Sequence, residues 1–259
     1  MFKLFKWCFT NSVRALLAMT AIYGVLFLIP FFPIFKGLWL LIVLPLAVLA
    51  AFLTMKLWTK SVSKRAFKTF EEGHTDMLHD YMLLLYKKAH YTAEGPAAAI
   101  RYVAVLLERG EYEKALGILE RYTEKKYESL DDVTRLSYYN NRTQALLKSD
   151  RLAEAEEVYA KMTDLLGAYE EPVTGAMKNA FTMTEAELRL MQGDAEKAFE
   201  LIDTLEDTGT PRRVMQRRLL RGKILLALEK PEEAAKEFTF VIENGKEETR
   251  RTAERLMQV

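Results

Sequence analysis

The sequence predicts an all-α protein: a two-helix transmembrane hairpin near the N-terminus, then an α-solenoid of about four helical-hairpin repeats ending in a capping helix. Three observations carry this. Two uncharged apolar runs of 18 residues each lie at Ala15 to Phe32 and at Leu38 to Met55. Beyond Glu71, Leu, Ala, Glu, Lys and Arg dominate, Pro and Gly are few, and no stretch alternates polar with apolar residues. Within that second part, four segments share one pattern of turn, acidic helix start, alanine and spaced apolar residues.

Charge divides the chain in the same way. Up to Lys68 there are nine basic residues and no Asp or Glu, whereas the remainder holds 28 basic against 36 acidic residues. The formal net charge of +1 is therefore a cancellation between two unlike parts. The single cysteine, Cys8, excludes an intramolecular disulfide and any multi-cysteine metal site, and it reads as a small apolar residue.

Each apolar run rises about 27 Å as a helix, close to the roughly 30 Å hydrocarbon thickness of a bilayer. Lys3, Lys6 and Arg14 precede the first run, Lys56, Lys60, Lys64, Arg65 and Lys68 follow the second, and only Lys36 lies in the short turn built on Pro33. Basic flanks stay on the cytoplasmic side, so both termini are expected there. A cleaved signal peptide is the competing reading of the first run. That run exceeds a usual signal core, and no small-x-small cleavage site separates it from the second. Thr20 with Gly24, and Ala47 with Ala51, are small pairs four apart that suit close helix contact. Trp7, Trp39 and Trp58 stand near the ends as interfacial anchors, and no ionisable residue lies inside either span, which argues against an ion pathway.

After Trp58, Lys60, Lys64 and Lys68 recur every four residues, with Arg65 beside them. A continuing helix would present them as a basic stripe to lipid headgroups. The expected organisation is residues 1–58 as hairpin (spans 15–32 and 38–55), 59–93 as basic juxtamembrane helix and linker, and 94–259 as repeat domain. A helix from His79 is expected to pack under the first repeat.

Breaks fall at Glu94–Pro96, Gly110, Ser149–Asp150, Glu171–Pro172, Gly193–Asp194, Gly209–Pro211, Lys230–Pro231 and Asn244–Gly245. Between them four segments align: RGEYEKALGILERY from Arg109, SDRLAEAEEVYAKM from Ser149, QGDAEKAFELIDTL from Gln192 and EKPEEAAKEFTFVI from Glu229. Their alanines are Ala115, Ala155, Ala198 and Ala234, with Leu119, Tyr159, Ile202 and Phe238 four residues further on. This resembles the second helix of the tetratricopeptide repeat, and the resemblance covers roughly Glu94 to Val241. It implies that the small residue lets the two helices of a repeat approach while the large one fills the groove beside it. The alanines are spaced 40, 43 and 36 residues apart, against about 34 in the family. Of the first-helix positions only Gly222 carries the family's glycine, with Val103, Thr143 and Ala186 at the equivalent places. The final segment, GKEETRRTAERLMQV, is charged on most sides and reads as a cap.

Chemical motifs are sparse. His74, Asp76, His79 and Asp80 cluster, but histidines five apart point about 140° away from each other on a helix, so a solvated linker is expected rather than a metal site. His90 carries no signal. No phosphate-binding loop, nucleophile elbow or dinucleotide fingerprint occurs. Acidic pairs at Asp131–Asp132, Glu170–Glu171 and Glu247–Glu248 suit helix starts. The expectation is no enzyme, no cofactor and, given the acidic repeat part, no nucleic-acid partner.

Two surfaces stand out as candidate partner sites. In PRRVMQRRLLRGK, Arg213, Arg217 and Arg221 recur every four residues on a first helix, where they would face the concave groove. Tyr138, Tyr139 and Arg142 on an earlier first helix form the second. The alternative for the arginines is pairing with the domain's own glutamates. The apolar residues Ile100 and Ala104 sit where some chaperone-binding repeat domains carry clamp residues, so that partner class is not supported. The expected role is a bilayer-anchored adaptor that binds a protein or peptide partner, in a bacterial inner membrane. A structural subunit assembled through the hairpin is the alternative, and a regulatory domain of an enzyme ranks third.

Overall fold

The computed structural model describes residues 6–8, 11–31, 39–169, 173, 175–205 and 210–258. The turn at Pro33 and Lys36, the flanking Lys3, the Glu170–Glu171 pair with the break at Pro172, and Gly209 lie outside those residues. The described residues contain helices and no strands, and the chain divides into two compact units, Met1–Lys68 and Thr69–Val259.

In the first unit, α1 spans Ser12–Phe31, and α2 spans Trp39–Glu71 with Pro45 inside it. The second apolar run ends at Met55, yet the helix continues, because no Pro or Gly interrupts the following residues. Lys60, Lys64, Arg65 and Lys68 are all exposed on that extension. One stretch of the described residues, Pro45–Glu71, is long and apolar enough to cross a membrane, while the apolar part of α1, Arg14–Val25, is shorter. Ala47 and Ala51 are fully buried. Among the described residues Gly24 has open space where a side chain would be, without the close contact expected of it. A polar contact joins the helices instead. Thr54 Oγ1 donates to the Ala50 carbonyl at 2.8 Å, which leaves it to accept from the Tyr23 hydroxyl at 2.9 Å.

The second unit begins with α3 (Asp76–Ala89) and continues as α4 (Gly95–Glu108), α5 (Tyr112–Leu119), α6 (Glu124–Glu128), α7 (Asp132–Lys148), α8 (Leu152–Ala168), α9 (Gly175–Met191), α10 (Ala195–Asp203), α11 (Pro211–Ala227), α12 (Pro231–Asn244) and α13 (Glu247–Leu256). Neighbours pack in pairs: α4 with α5, α7 with α8, α9 with α10, and α11 with α12. The first helices α4, α7, α9 and α11 also pack on one another in succession, α3 packs on α4, and α13 packs on α12 and α11.

The same backbone device joins every pair. Gly110, Asp150, Gly193 and Glu229 adopt the left-handed conformation, with φ of 73°, 57°, 84° and 58°. At each, the next residue's N–H reaches back to a carbonyl five residues earlier: Glu111 to Leu106, Arg151 to Leu146, Asp194 to Arg189 and Lys230 to Leu225, at 2.9–3.0 Å. The left-handed residue itself donates three residues back, to Leu107, Leu147, Leu190 and Leu226. This is the Schellman closure, which satisfies carbonyls left open at a helix end. Four identical closures identify the repeat unit by geometry, two of them without the glycine that favours the conformation.

Packing follows the aligned positions. Ala115, Ala155, Ala198 and Ala234 each have no exposed surface, and Leu119, Ile202 and Phe238 are buried beside them. On the first helices Val103, Thr143 and Ala186 are equally closed off. The irregular spacings have separate causes. The short helix α6 lengthens the first interval, held by Tyr127, whose ring stacks on Tyr138 at 3.9 Å and whose hydroxyl donates to the Leu119 carbonyl. A 17-residue α8 lengthens the second.

Gly222 is the tightest of these positions: a Cβ there would lie 2.5 Å from the Phe238 ring. Gly222→Ala is expected to lower unfolding stability by about 1–3 kcal/mol despite alanine's better helix propensity. Phe238→Leu in the same chain should restore much of the loss. Urea unfolding followed by circular dichroism reads both, and a Gly222→Ala chain as stable as the parent would contradict the packing.

Candidate functional site: a polar inner cavity

The stacked first helices α4, α7, α9 and α11 form the inner wall of the coil, and α13 completes it. Between them lies a cavity of about 630 Å3. Its wall is drawn from residues 104 to 256, so it belongs wholly to the second unit.

Two sets of contacts close the coil. Glu108, at the end of α4, receives Arg212 Nη1 at 2.6 Å and Gln216 Nε2 at 2.5 Å, so the first repeat meets the fourth. Arg212 also lies over the Phe70 ring at 4.5 Å. At the same end, the Glu247 carboxylate of α13 accepts from Thr75 Oγ1 at 2.6 Å and from the Thr75 amide at 3.2 Å. Arg109 joins Asp76 at 2.6 Å and Thr75 at 3.1 Å.

Inside, a ladder of polar groups links α7 to α9. Thr184 Oγ1 donates to Asn140 Oδ1 at 2.7 Å and accepts from Gln144 Nε2 at 2.8 Å. One turn further along, Lys148 is ion-paired with Glu187, whose side chain is only 13% exposed. Burial pushes the Glu187 carboxyl up, but Lys148 and Lys223 more than reverse this and hold it below the usual range. Burial likewise opposes the charged form of Lys148, and Glu187 outweighs it to raise that ammonium. Lys223, on α11, is pushed down chiefly by the neighbouring Lys148 and then by burial. The wall carries Lys148, Arg212, Arg213, Arg217, Lys223 and Arg255 against Glu108, Glu187 and Glu248, so a domain rich in acid outside is cationic inside.

The sequence candidates separate in this geometry. Arg213 and Arg217 line the cavity. The Arg213 side chain makes no hydrogen bond or ion pair among the described residues. Arg221 turns away: it binds Glu237 at 2.7 Å and Asp203 at 3.5 Å and lies over Phe199 at 5.4 Å. Arg218 holds the other oxygen of the buried Glu237 at 3.1 Å. A step of 100° per residue accumulates to about 80° between Arg213 and Arg221, enough to move the last arginine onto the α12 side. Tyr138 and Tyr139 are core residues, 3% and 6% exposed, rather than a surface patch, and Arg142 donates to the Tyr138 hydroxyl at 2.9 Å. Lys60, Lys64, Arg65 and Lys68 belong to the first unit and are not among the residues that line the cavity.

The helix expected from His79 is α3, which starts earlier, at Asp76, and takes in most of the expected solvated linker. His79 Nε2 meets the Tyr102 hydroxyl at 3.0 Å, Asp76 serves Arg109, and burial chiefly pushes the imidazole down. His90, which carried no signal, binds the Tyr122 hydroxyl at 2.8 Å. Sequence reasoning missed Lys148, Glu187 and Lys223. Lys223 stands in the very segment that contains the arginines, on the face traced by 213, 216, 220 and 223, a spacing of three and four residues that marks one side of a helix.

The shared counter-charge sets an order of effects. Glu187→Gln leaves Lys148 and Lys223 facing each other and is expected to cost about 1–3 kcal/mol. Lys148→Gln should cost less, since Lys223 remains to balance Glu187. Because the Glu187 pKa is lowered in the fold, its contribution is present above the unfolded value and fades as pH falls through the folded one. Thermal unfolding of the detergent-solubilised chain ranks the two variants, and the reverse order would refute the arrangement.

Comparison with known proteins yields no matching family model, no matching curated protein and no matching solved structure.

Proposed function

We propose that the chain is a membrane-anchored adaptor whose repeat domain captures a protein or peptide partner in its inner cavity. The observation that carries this is a cationic, concave wall bearing Arg213, a charged side chain with no partner of its own among the described residues. A solenoid needs no such group to fold, and guanidinium groups facing a cavity are suited to carboxylates or phosphates of a partner. The four closures and the buried alanines support the likeness to tetratricopeptide repeats.

On this reading both apolar helices cross the bilayer and both ends of the chain are cytoplasmic. Large apolar side chains exposed on α1 and α2 support it: Leu17 and Ile22 on the first, and Leu49, Phe52, Leu53 and Leu57 on the second. Lipid covers such surfaces at no cost in water contact. The basic extension of α2 then meets anionic headgroups. The same exposed apolar surface favours a second reading, a structural subunit that packs its hairpin against other membrane helices.

Arg213→Glu separates the two readings. An adaptor loses its partner about tenfold or more in affinity-purification from native membranes, since a charge-assisted contact becomes a repulsion. Undiminished recovery with unchanged helicity would favour the hairpin as the interaction surface. Topology is tested by a reporter fused after Val259, which should be inaccessible from outside the cell. A reporter reached from outside would overturn the cytoplasmic assignment.

A further inference from the structure

At one end of the cavity the charges are fully assigned except for one. Lys148 from α7 is committed to Glu187 from α9, and Arg255 from α13 is committed to Glu248 at 2.9 Å. Lys223, from α11, lines the same space, and its ammonium makes no hydrogen bond or ion pair among the described residues. It is the surplus cation at this end, as Arg213 is elsewhere on the wall. Removing an ammonium from water without a counter-charge is unfavourable, and a second cation beside it adds repulsion. Nothing in the packing of α11 requires a charge there, because Leu220 and Ile224 supply the buried contacts of that stretch.

We propose that this end of the cavity is a binding site for an anionic oxygen group, a carboxylate or a phosphate, held by Lys223 with Lys148 and Arg255 beside it. The proposal rests on reading the cavity as a ligand site, and it names the chemistry that enters. A volume of about 630 Å3 suits a small molecule or a few side chains of a peptide. The group therefore arrives on a small metabolite-sized anion or on an acidic segment of a partner.

Binding must then be coupled to protons. The groups facing Lys223 are Lys148 on α7, Glu187 on α9 and Arg255 on α13, and their balance pushes its pKa down. An entering anion raises it again, so affinity falls as pH rises through the lowered value and Lys223 loses its proton.

The test uses the full chain in nanodiscs of neutral lipid, titrated calorimetrically with inorganic phosphate and, separately, with a hexaglutamate peptide. At least one probe is expected to bind saturably. Lys223→Gln should weaken that binding by about 10- to 100-fold, whereas Lys223→Arg keeps the charge and should stay within about threefold. The parent should bind less tightly as pH rises, and the arginine variant should not, a difference that a purely structural role for Lys223 would not produce. Binding of phosphate alone identifies a small anion and supports the site while counting against a peptide adaptor. Binding of the peptide supports the site with an acidic segment as its source. No saturable binding of either probe, or unchanged affinity in Lys223→Gln, overturns the proposal. It is overturned even if Arg213→Glu still abolishes partner recovery, in which case the adaptor reading stands without it.

Discussion

Four alanines without exposed surface, Ala115, Ala155, Ala198 and Ala234, set how closely the paired helices of this domain can approach. A larger side chain at any of them would have to displace the facing helix, because interiors are packed to crystal density and overfilling forces backbone shifts. Close approach lets Leu119, Ile202 and Phe238 reach the neighbouring first helix and be buried. Gly222 shows the limit of this arrangement, with its backbone pressed against the Phe238 ring. The left-handed residue between each pair supplies the reversal that brings the helices together. That Asp150 and Glu229 adopt it without being glycine indicates how strongly packing imposes the turn, since the conformation costs roughly 1 kcal/mol for such residues.

Repetition of one pair geometry makes the first helices stack, and the stack curves until its two ends meet. Contacts that span most of the domain hold the closure. Arg212 and Gln216 share the two oxygens of Glu108, and Glu247 is bound by Thr75. Closure turns a concave face into a cavity and changes the electrostatics of what lines it. Charges that would be screened on an open face are brought together where water is fewer, so the order of Lys148, Glu187 and Lys223 along three different helices governs which of them is ionised most readily.

The first unit obeys a different constraint. Its helices bury little against each other beyond small residues such as Ala47 and Ala51 and expose leucines and phenylalanines instead. A hydrogen bond between them, from Tyr23 to Thr54, gives the phenol a partner on the facing helix. Helix α2 passes from this apolar surface into an exposed basic stretch without a break.

Local patterns made much of this legible. The repeated alanines, the breaks at Gly110, Gly193 and Pro231, and the apolar residue four beyond each alanine are short-range signals, and they located every second helix of the four pairs. The continuation of α2 was likewise readable from the absence of helix breakers. Long-range juxtapositions were not. Nothing local distinguishes Arg213, which faces the cavity, from Arg221, which is clasped by Glu237 and Asp203. Tyr138 looked like a surface candidate because the residue that buries it, Tyr127, sits on a short helix absent from the repeat pattern. Lys148, Glu187 and Lys223 are separated by 39 and 36 residues in sequence, and only the coil brings them into one space. The sequence by itself determined the helices, their pairing and the charge difference between the two parts, because those depend on neighbours three and four residues away. Tertiary structure alone decided which charges meet and which cations are left over, because that depends on how far the stack of pairs curves before it closes.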